Sequence, residues 1–257
     1  MLATSGDLPE GQNWSFEVKW DGMRLLADVV DGRLHLTTRT GRDVTSHFPE
    51  LAELTALAPD VLLDGEVVVL SDGVPSFAAL AERIHGPVDP VVARARPVTY
   101  MVFDVLRLYG VSLLDRPLDE RRATLERLEL AGLPAVELSP LYRDGAALLA
   151  AIAQRGMEGV VAKRRDAPYR PGRRSPAWIK VTSRNTQVCV VGGWRPEKGG
   201  GTHRIGALLL GVPEAPGAPP RFAGKVGSGL AGEVVQRVLT GRLAAVAADR
   251  QPFADRP

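Results

Sequence analysis

Only one cysteine, Cys189, occurs in the 257 residues, which excludes an internal disulfide, and His35, His47, His85 and His203 have no spacing with it that suggests a zinc site. No apolar run approaches the roughly 18 residues a membrane span needs. The opening Met1-Leu2-Ala3-Thr4-Ser5 lacks the basic and apolar regions of a secretory signal, so a cytoplasmic protein is expected. A Gly-x-x-x-x-Gly-Lys-Ser/Thr loop is also missing, which excludes a Walker-type nucleotide cradle. Lysine is scarce: of 32 basic residues, 27 are arginine and five are lysine, namely Lys19, Lys163, Lys180, Lys198 and Lys225. Arginine supplies positive charge here, so each lysine draws notice. An amine can be deprotonated to act as a nucleophile, whereas a guanidinium cannot.

What is present is an ordinary globular composition, 45% hydrophobic and 24% charged, enough for one large domain or two modest ones. The net charge of +2 conceals an asymmetry. Residues 1–162 hold 15 Lys/Arg against 24 Asp/Glu, and residues 163–257 hold 17 against 6. Between Lys163 and Arg184 eight basic residues (Lys163, Arg164, Arg165, Arg170, Arg173, Arg174, Lys180 and Arg184) stand against one acid, Asp166. That density suits a polyphosphate or a nucleic acid, and a solvated basic loop is the alternative reading.

Periodicity predicts short strands at Phe16–Val18, Leu25–Val30 and Leu34–Thr38, the last two joined by a hairpin turn at Asp31-Gly32. Thr45 or Ser46 would cap a helix reaching about Leu57, and Val61–Leu70 reads as a long strand ended by Ser71-Asp72-Gly73. Thr99–Leu106 is a further buried strand. Helices are predicted at Glu120–Leu130 and, capped by Asp144, at Gly145–Arg155, followed by strands at Gly159–Lys163 and Trp178–Val181. Beyond a boundary near Thr182–Asn185 the texture becomes all-β, with strands at Gln187–Trp194, Gly206–Leu210 and Phe222–Val226, a hairpin turn at Gly199-Gly200-Gly201 and a surface loop at Glu214–Pro220.

The segment Lys19-Trp20-Asp21-Gly22-Met23-Arg24 follows the first of these strands and would set an amine beside a phosphate that the arginine neutralises. It resembles the nucleotidyl-lysine motif, Lys-x-Asp-Gly-x-Arg, of the covalent nucleotidyltransferases, the superfamily of ATP-dependent DNA ligases, RNA ligases and mRNA capping enzymes. Further matches follow in the family's order: Thr38-Arg39-Thr40-Gly41, Asp64-Gly65-Glu66, Tyr100-Met101-Val102-Phe103-Asp104, Glu158-Gly159-Val160-Val161-Ala162-Lys163 and Trp178-Ile179-Lys180-Val181. The wording within the motifs is most similar to bacterial ATP-dependent ligases of the end-joining type.

The resemblance implies an α+β fold: a nucleotidyltransferase (ATP-grasp-like DNA ligase) domain of antiparallel sheets with helices over 1–183, then a partial OB-fold over 184–257. It implies ATP and Mg²⁺ or Mn²⁺ as cofactors, nicked or broken double-stranded DNA as substrate, an end-binding protein as a further partner, no membrane, and a monomer. Lys19 would attack the α-phosphate and carry AMP, its pKa lowered by flanking cations, with Lys163 and Lys180 stabilising charge in transfer. ATP would be held by Glu17, Val18, Arg24, Arg39, Glu66, Phe103, Val161, Lys163 and Lys180, with Phe103 stacked on adenine and Glu66 on a ribose hydroxyl. Glu158, with Glu66 or Asp21, would hold the metal, and Arg164, Arg170, Arg173, Arg174 and Arg184 the DNA.

Two departures stand against this. The family's second lysine after the position of Lys180 is Thr182 here, and its last motif has no match before Arg256-Pro257, so an unfinished OB-fold and slow self-adenylylation are expected. An RNA ligase or capping-type enzyme remains the nearest alternative, separable by RNA ends and GTP. A non-catalytic nick-binding module is the alternative from another class, separable by failure to form a covalent adduct.

Overall fold

The computed structural model describes residues 1–84, 90–183, 187–197, 204–248 and 250–255. Arg184 and the Gly199-Gly200-Gly201 turn lie outside the described residues. The chain divides into two compact units, Met1–Arg184 and Asn185–Pro257.

In the first unit the strands are β1 (Leu2–Ser5), β2 (Trp14–Val18), β3 (Met23–Val30), β4 (Arg33–Thr38), β5 (Asp60–Val68), β6 (Leu70–Ser71), β7 (Val74–Pro75), β8 (Thr99–Leu108), β9 (Val111–Ser112), β10 (Val136–Leu138), β11 (Leu141–Tyr142), β12 (Gly159–Arg164) and β13 (Arg174–Thr182). Its helices are α1 (Phe77–Ile84), α2 (Pro90–Ala95), α3 (Leu118–Glu126) and α4 (Gly145–Gln154). One sheet runs β1-β13-β12-β2-β11. The other runs β10-β8-β5-β3-β4, with β9 on β8. Most neighbours are antiparallel, but β1 joins β13 and β10 joins β8 in parallel. The second unit is the antiparallel sheet β14 (Val190–Pro196), β15 (Ile205–Pro213) and β16 (Pro220–Val226), followed by helix α5 (Glu233–Ala244).

Alternation decides which side of each strand is core. In the first sheet Phe16, Val160 and Ala162 are buried and pack with Leu148 and Ile152 of α4. In the second sheet Leu25, Ala27, Val29 and Leu63 enter a larger core with Leu36, Leu51, Leu54 and Leu80. The Asp31-Gly32 turn has φ of 49° and 72°, both left-handed, as a two-residue type I′ hairpin turn requires.

Several elements differ from the sequence-based expectation. The stretch after Thr45 forms 3₁₀ turns, Thr45–His47 and Pro49–Ala56, rather than a capped α-helix. The Thr45 hydroxyl accepts from the Leu36 backbone N–H instead of capping, so the segment is tied to β4. Helix α3 ends at Glu126, four residues short of Leu130, which is buried in a separate 3₁₀ turn. The strand expected from Gln187 starts at Val190. Asp144 does cap α4, its carboxylate accepting from the Ala147 N–H at 2.9 Å. Among the described residues no helix is long and apolar enough to cross a membrane.

Candidate active site

A cavity of about 240 Å³ lies in the first unit, lined by side chains from both of its large sheets. Period-two geometry puts Glu17 and Lys19, Val161 and Lys163, and Trp178 and Lys180 on the side of the first sheet opposite its core. Strand register then aligns them: Val161 stands between Glu17 and Lys180, and Lys163 opposite Trp178. The second sheet supplies Arg24 and Glu66, paired across β3 and β5, together with Phe103 of β8. Arg39, Val18, Trp20, Leu2, Ala3 and Arg174 complete the lining.

Lys19 leaves the end of β2 with its N–H bonded to the Gly159 carbonyl at 2.8 Å. The turn that follows needs Gly22, because a Cβ there would come within 2.2 Å of the Val67 carbonyl oxygen. Glycine is required again at Gly159, where φ is +150° and a Cβ would meet the Val181 carbonyl at 2.1 Å. The Lys19 ammonium is ion-paired with Glu158, the side chains 22% and 34% exposed. Its immediate partner is therefore an anion, not the flanking cations invoked from sequence.

Lys163 lies deeper. Its ammonium is 2.7 Å from Glu17 Oε1, and each of the two side chains is 3% exposed. It also stands 4.2 Å from the ring centroid of Phe103 and 4.6 Å from that of Trp178. Burial pushes the Lys163 pKa below its ordinary value, against the pull of Glu17. The Phe103 ring that the resemblance assigns to adenine also has the Arg24 guanidinium over it, at 5.4 Å.

Arg24 donates to both carboxylate oxygens of Asp64, at 2.9 and 2.6 Å, and Tyr169 donates to the same carboxylate at 2.7 Å. Burial opposes the charge on Arg24, but the fully buried Asp64 outweighs it and raises its pKa. Glu66 is different. Burial, added to by Asp64 and Glu158 and only partly offset by Arg24 and Lys19, pushes its carboxyl up to about 8.

The residues assigned to metal separate in the structure. Glu158 pairs with Lys19, and both bear on the Glu66 carboxyl, whereas Asp21 is exposed; of the three carboxylates only Glu66 lines the cavity. Among the described residues no group of three or more His, Cys, Asp or Glu is placed to hold a metal unaided. A Mg²⁺ ion takes as few as one or two carboxylates, with substrate phosphates and water supplying the rest, so a site built on Glu158 or Glu66 would need the phosphates of a nucleotide to complete it.

The basic cluster is less free than its count implies. Arg164 pairs with Asp166, Arg165 with Asp119 and Arg170 with Asp115, while Arg174 donates to the Ala3 carbonyl at the cavity edge. Arg173 is exposed. Thr182 ends β13 opposite Gly159 and is not among the lining residues.

Sequence reasoning gave no role to Leu2, Ala3, Trp20, Arg174 or Trp178 as parts of the cavity wall, or to Asp64 and Tyr169 as the holders of Arg24. The four-residue β1 has no periodic signal; only pairing with β13 brings it to the cavity. Asp64 and Trp178 sat inside recognised motifs, and that was the available signal.

A family model described as the ATP dependent DNA ligase domain matches residues 3–182. The chain is 42% identical over 259 residues to the multifunctional non-homologous end joining protein LigD of Mycobacterium bovis, an alignment covering 98% of this chain and 32% of LigD. It is 36% identical to DNA ligase C2 of Mycolicibacterium smegmatis, covering 82% of this chain and 61% of that protein. The chain thus spans about a third of the length of the LigD relatives. Among solved structures, mycobacterial DNA ligase D complexed with ATP and MES aligns with a TM-score of 0.64 and 40% identity, covering 100% of this chain and 80% of that one. A Lig E DNA ligase shares the fold at a TM-score of 0.69 and 21% identity, covering 92% of this chain and 87% of that one.

Proposed function

Because the chain belongs to the ATP dependent DNA ligase domain family, we propose that it seals breaks in duplex DNA by carrying AMP on Lys19. The observation that carries this reading is the convergence of Lys19, Lys163 and Lys180, three of only five lysines, on one cavity that also presents the rings of Phe103 and Trp178.

Three steps follow. The neutral Lys19 amine attacks the α-phosphorus of ATP, the bond to the β-phosphate breaks, and pyrophosphate departs from a lysyl-AMP phosphoramidate. An oxygen of a DNA 5′-phosphate then attacks the same phosphorus and breaks the P–N bond. Finally the neighbouring 3′-hydroxyl attacks the 5′-phosphorus and expels AMP, closing the strand.

Lys163 and Lys180 approach the reacting phosphate as cations and stabilise the charge that builds on its oxygens. Glu158, paired with Lys19, is placed to take the ammonium proton before attack. Arg24 and Arg39 supply guanidinium donors for ribose or phosphate. Glu66, protonated or ionised according to pH, accepts from a ribose hydroxyl. A Mg²⁺ or Mn²⁺ ion held by Glu158 and Glu66 would neutralise phosphate charge.

The second unit has the three antiparallel strands and helix that a partial OB-fold would show, and we assign it that role, with a domain division at about residue 183. The DNA would cross the basic face that includes Arg164, Arg170, Arg173 and Arg174. Nicked or broken duplex is the substrate, an end-binding protein the partner, and a monomer in the cytoplasm, nucleoid-associated when on DNA, the working form. Sealing of a labelled nicked duplex tests the reading: ligation is expected with ATP and not with GTP, and on a DNA nick in preference to an RNA end. The reverse pattern would favour an RNA ligase or capping-type enzyme.

A further inference from the structure

A chain of three hydrogen bonds runs behind the cavity. The indole Nε1–H of Trp20 donates to Ser139 Oγ at 3.0 Å, Ser139 Oγ lies 3.2 Å from Glu17 Oε2, and Glu17 Oε1 accepts from Lys163 Nζ at 2.7 Å. The direction is fixed by chemistry. An indole nitrogen can only donate, so the Ser139 oxygen is the acceptor there and its own hydrogen goes to the carboxylate. Trp20 is the neighbour of Lys19, and Lys163 faces the same cavity, so the chain joins the two lysines from behind.

Ser139 is 0% exposed and stands where the two sheets meet. It follows β10, its own N–H donates to the Val102 carbonyl of β8 at 2.8 Å, and its hydroxyl reaches Glu17 of β2. Val102 precedes Phe103, whose ring lies under the Lys163 ammonium. A buried carboxylate facing a buried ammonium needs its second oxygen satisfied, or the pair swings toward whatever donor it finds. Ser139 meets that need. No other hydroxyl bonds to Glu17 among the described residues.

Resting on the ligase reading above, we propose that Ser139 is a positioning residue for AMP transfer: it orients Glu17, and through it the Lys163 ammonium, in register with the Lys19–Trp20 turn. Ser139 touches no substrate. Its effect should therefore appear in turnover more than in ATP binding, and Trp20 should act through the same hydroxyl.

The test compares the unsubstituted chain with Ser139→Ala, Trp20→Phe and the double variant, measuring single-turnover lysyl-AMP formation across ATP concentrations and a thermal melt of each. Ser139→Ala is expected to slow the maximal rate about tenfold, with the ATP concentration for half-maximal rate changed less than about threefold. Trp20→Phe, which keeps the ring and removes the donor, is expected to show a smaller loss in the same direction. The double variant should be no slower than Ser139→Ala alone, because both substitutions break one chain. A folded Ser139→Ala chain with a normal maximal rate, or losses that multiply in the double variant, would overturn the assignment while leaving the ligase reading intact. Should Ser139→Ala fail to fold, a normal rate in a folded Trp20→Phe chain would overturn it equally. Absence of any adduct from the unsubstituted chain would overturn the ligase reading itself and this assignment with it.

Discussion

The Lys19 ammonium is ion-paired with Glu158, and both side chains keep contact with solvent, at 22% and 34% exposure. A pair this open adds little to folding, less than about 1 kcal/mol. In the proposed mechanism its role is chemical: Glu158 would receive the proton that must leave before Lys19 can attack. Glu158→Gln should therefore melt close to the unsubstituted protein yet form lysyl-AMP at least about 100-fold more slowly. A thermal melt and a rate of adduct formation check both halves, and a full rate in the glutamine variant would remove Glu158 from the step.

Asp104 and Arg121 give the opposite case. Both side chains are 0% exposed, bonded through two contacts of 2.8 and 2.9 Å, and Arg121 also donates to the carbonyls of Arg116 and Ala167. Arg121→Met alone leaves Asp104 buried without its cation and should cost about 3–5 kcal/mol. Adding Asp104→Leu should cost less than the two single losses summed. Urea unfolding midpoints of the three variants test this, and strict additivity would contradict the coupling.

Glu66 links pH to stability. Its carboxyl is raised from 4.5 to about 8 by burial, so in the metal-free protein the folded state holds a proton that the unfolded chain releases. The resulting stabilisation is present below about pH 4.5 and lost as pH rises through 8. Glu66→Gln mimics the protonated form, so its stability relative to the unsubstituted chain should climb between pH 5 and 8 and level off above. A difference that stays flat over that range would contradict the assigned ionisation.

The exposed guanidiniums of Arg173 and Arg174 should bind DNA phosphates. Reversing both to Glu is expected to weaken duplex binding and to reduce the log–log salt slope by about 0.9 for each phosphate that is no longer neutralised. Unchanged slope and affinity would take these two residues off the interface.

The cavity was legible in the sequence to the extent that its residues sit in short local patterns. Glu17 with Lys19, Val161 with Lys163, and Trp178 with Lys180 are each two residues apart, so period-two geometry brings each pair to the cavity together. What could not be read was set by distant partners. Leu2 and Ala3 reach the cavity only because β1 pairs with β13 across some 170 residues of chain. Ser139 carries no motif, and its link to Glu17 spans 122 positions. The cluster from Lys163 to Arg184 looked nearly unopposed because Asp115 and Asp119, which neutralise Arg170 and Arg165, lie far upstream. The segment after Thr45 forms 3₁₀ turns instead of the expected helix because a tertiary tie, the Leu36–Thr45 bond, outweighs local propensity.

The most direct measurement is incubation of the chain with α-labelled ATP and Mg²⁺, denaturation, and mapping of the labelled peptide. An acid-labile AMP adduct on Lys19 is expected, absent from Lys19→Ala and also from Lys19→Arg, whose guanidinium stays protonated. Label that persists in either variant, or that maps to Lys163 or Lys180, would contradict it.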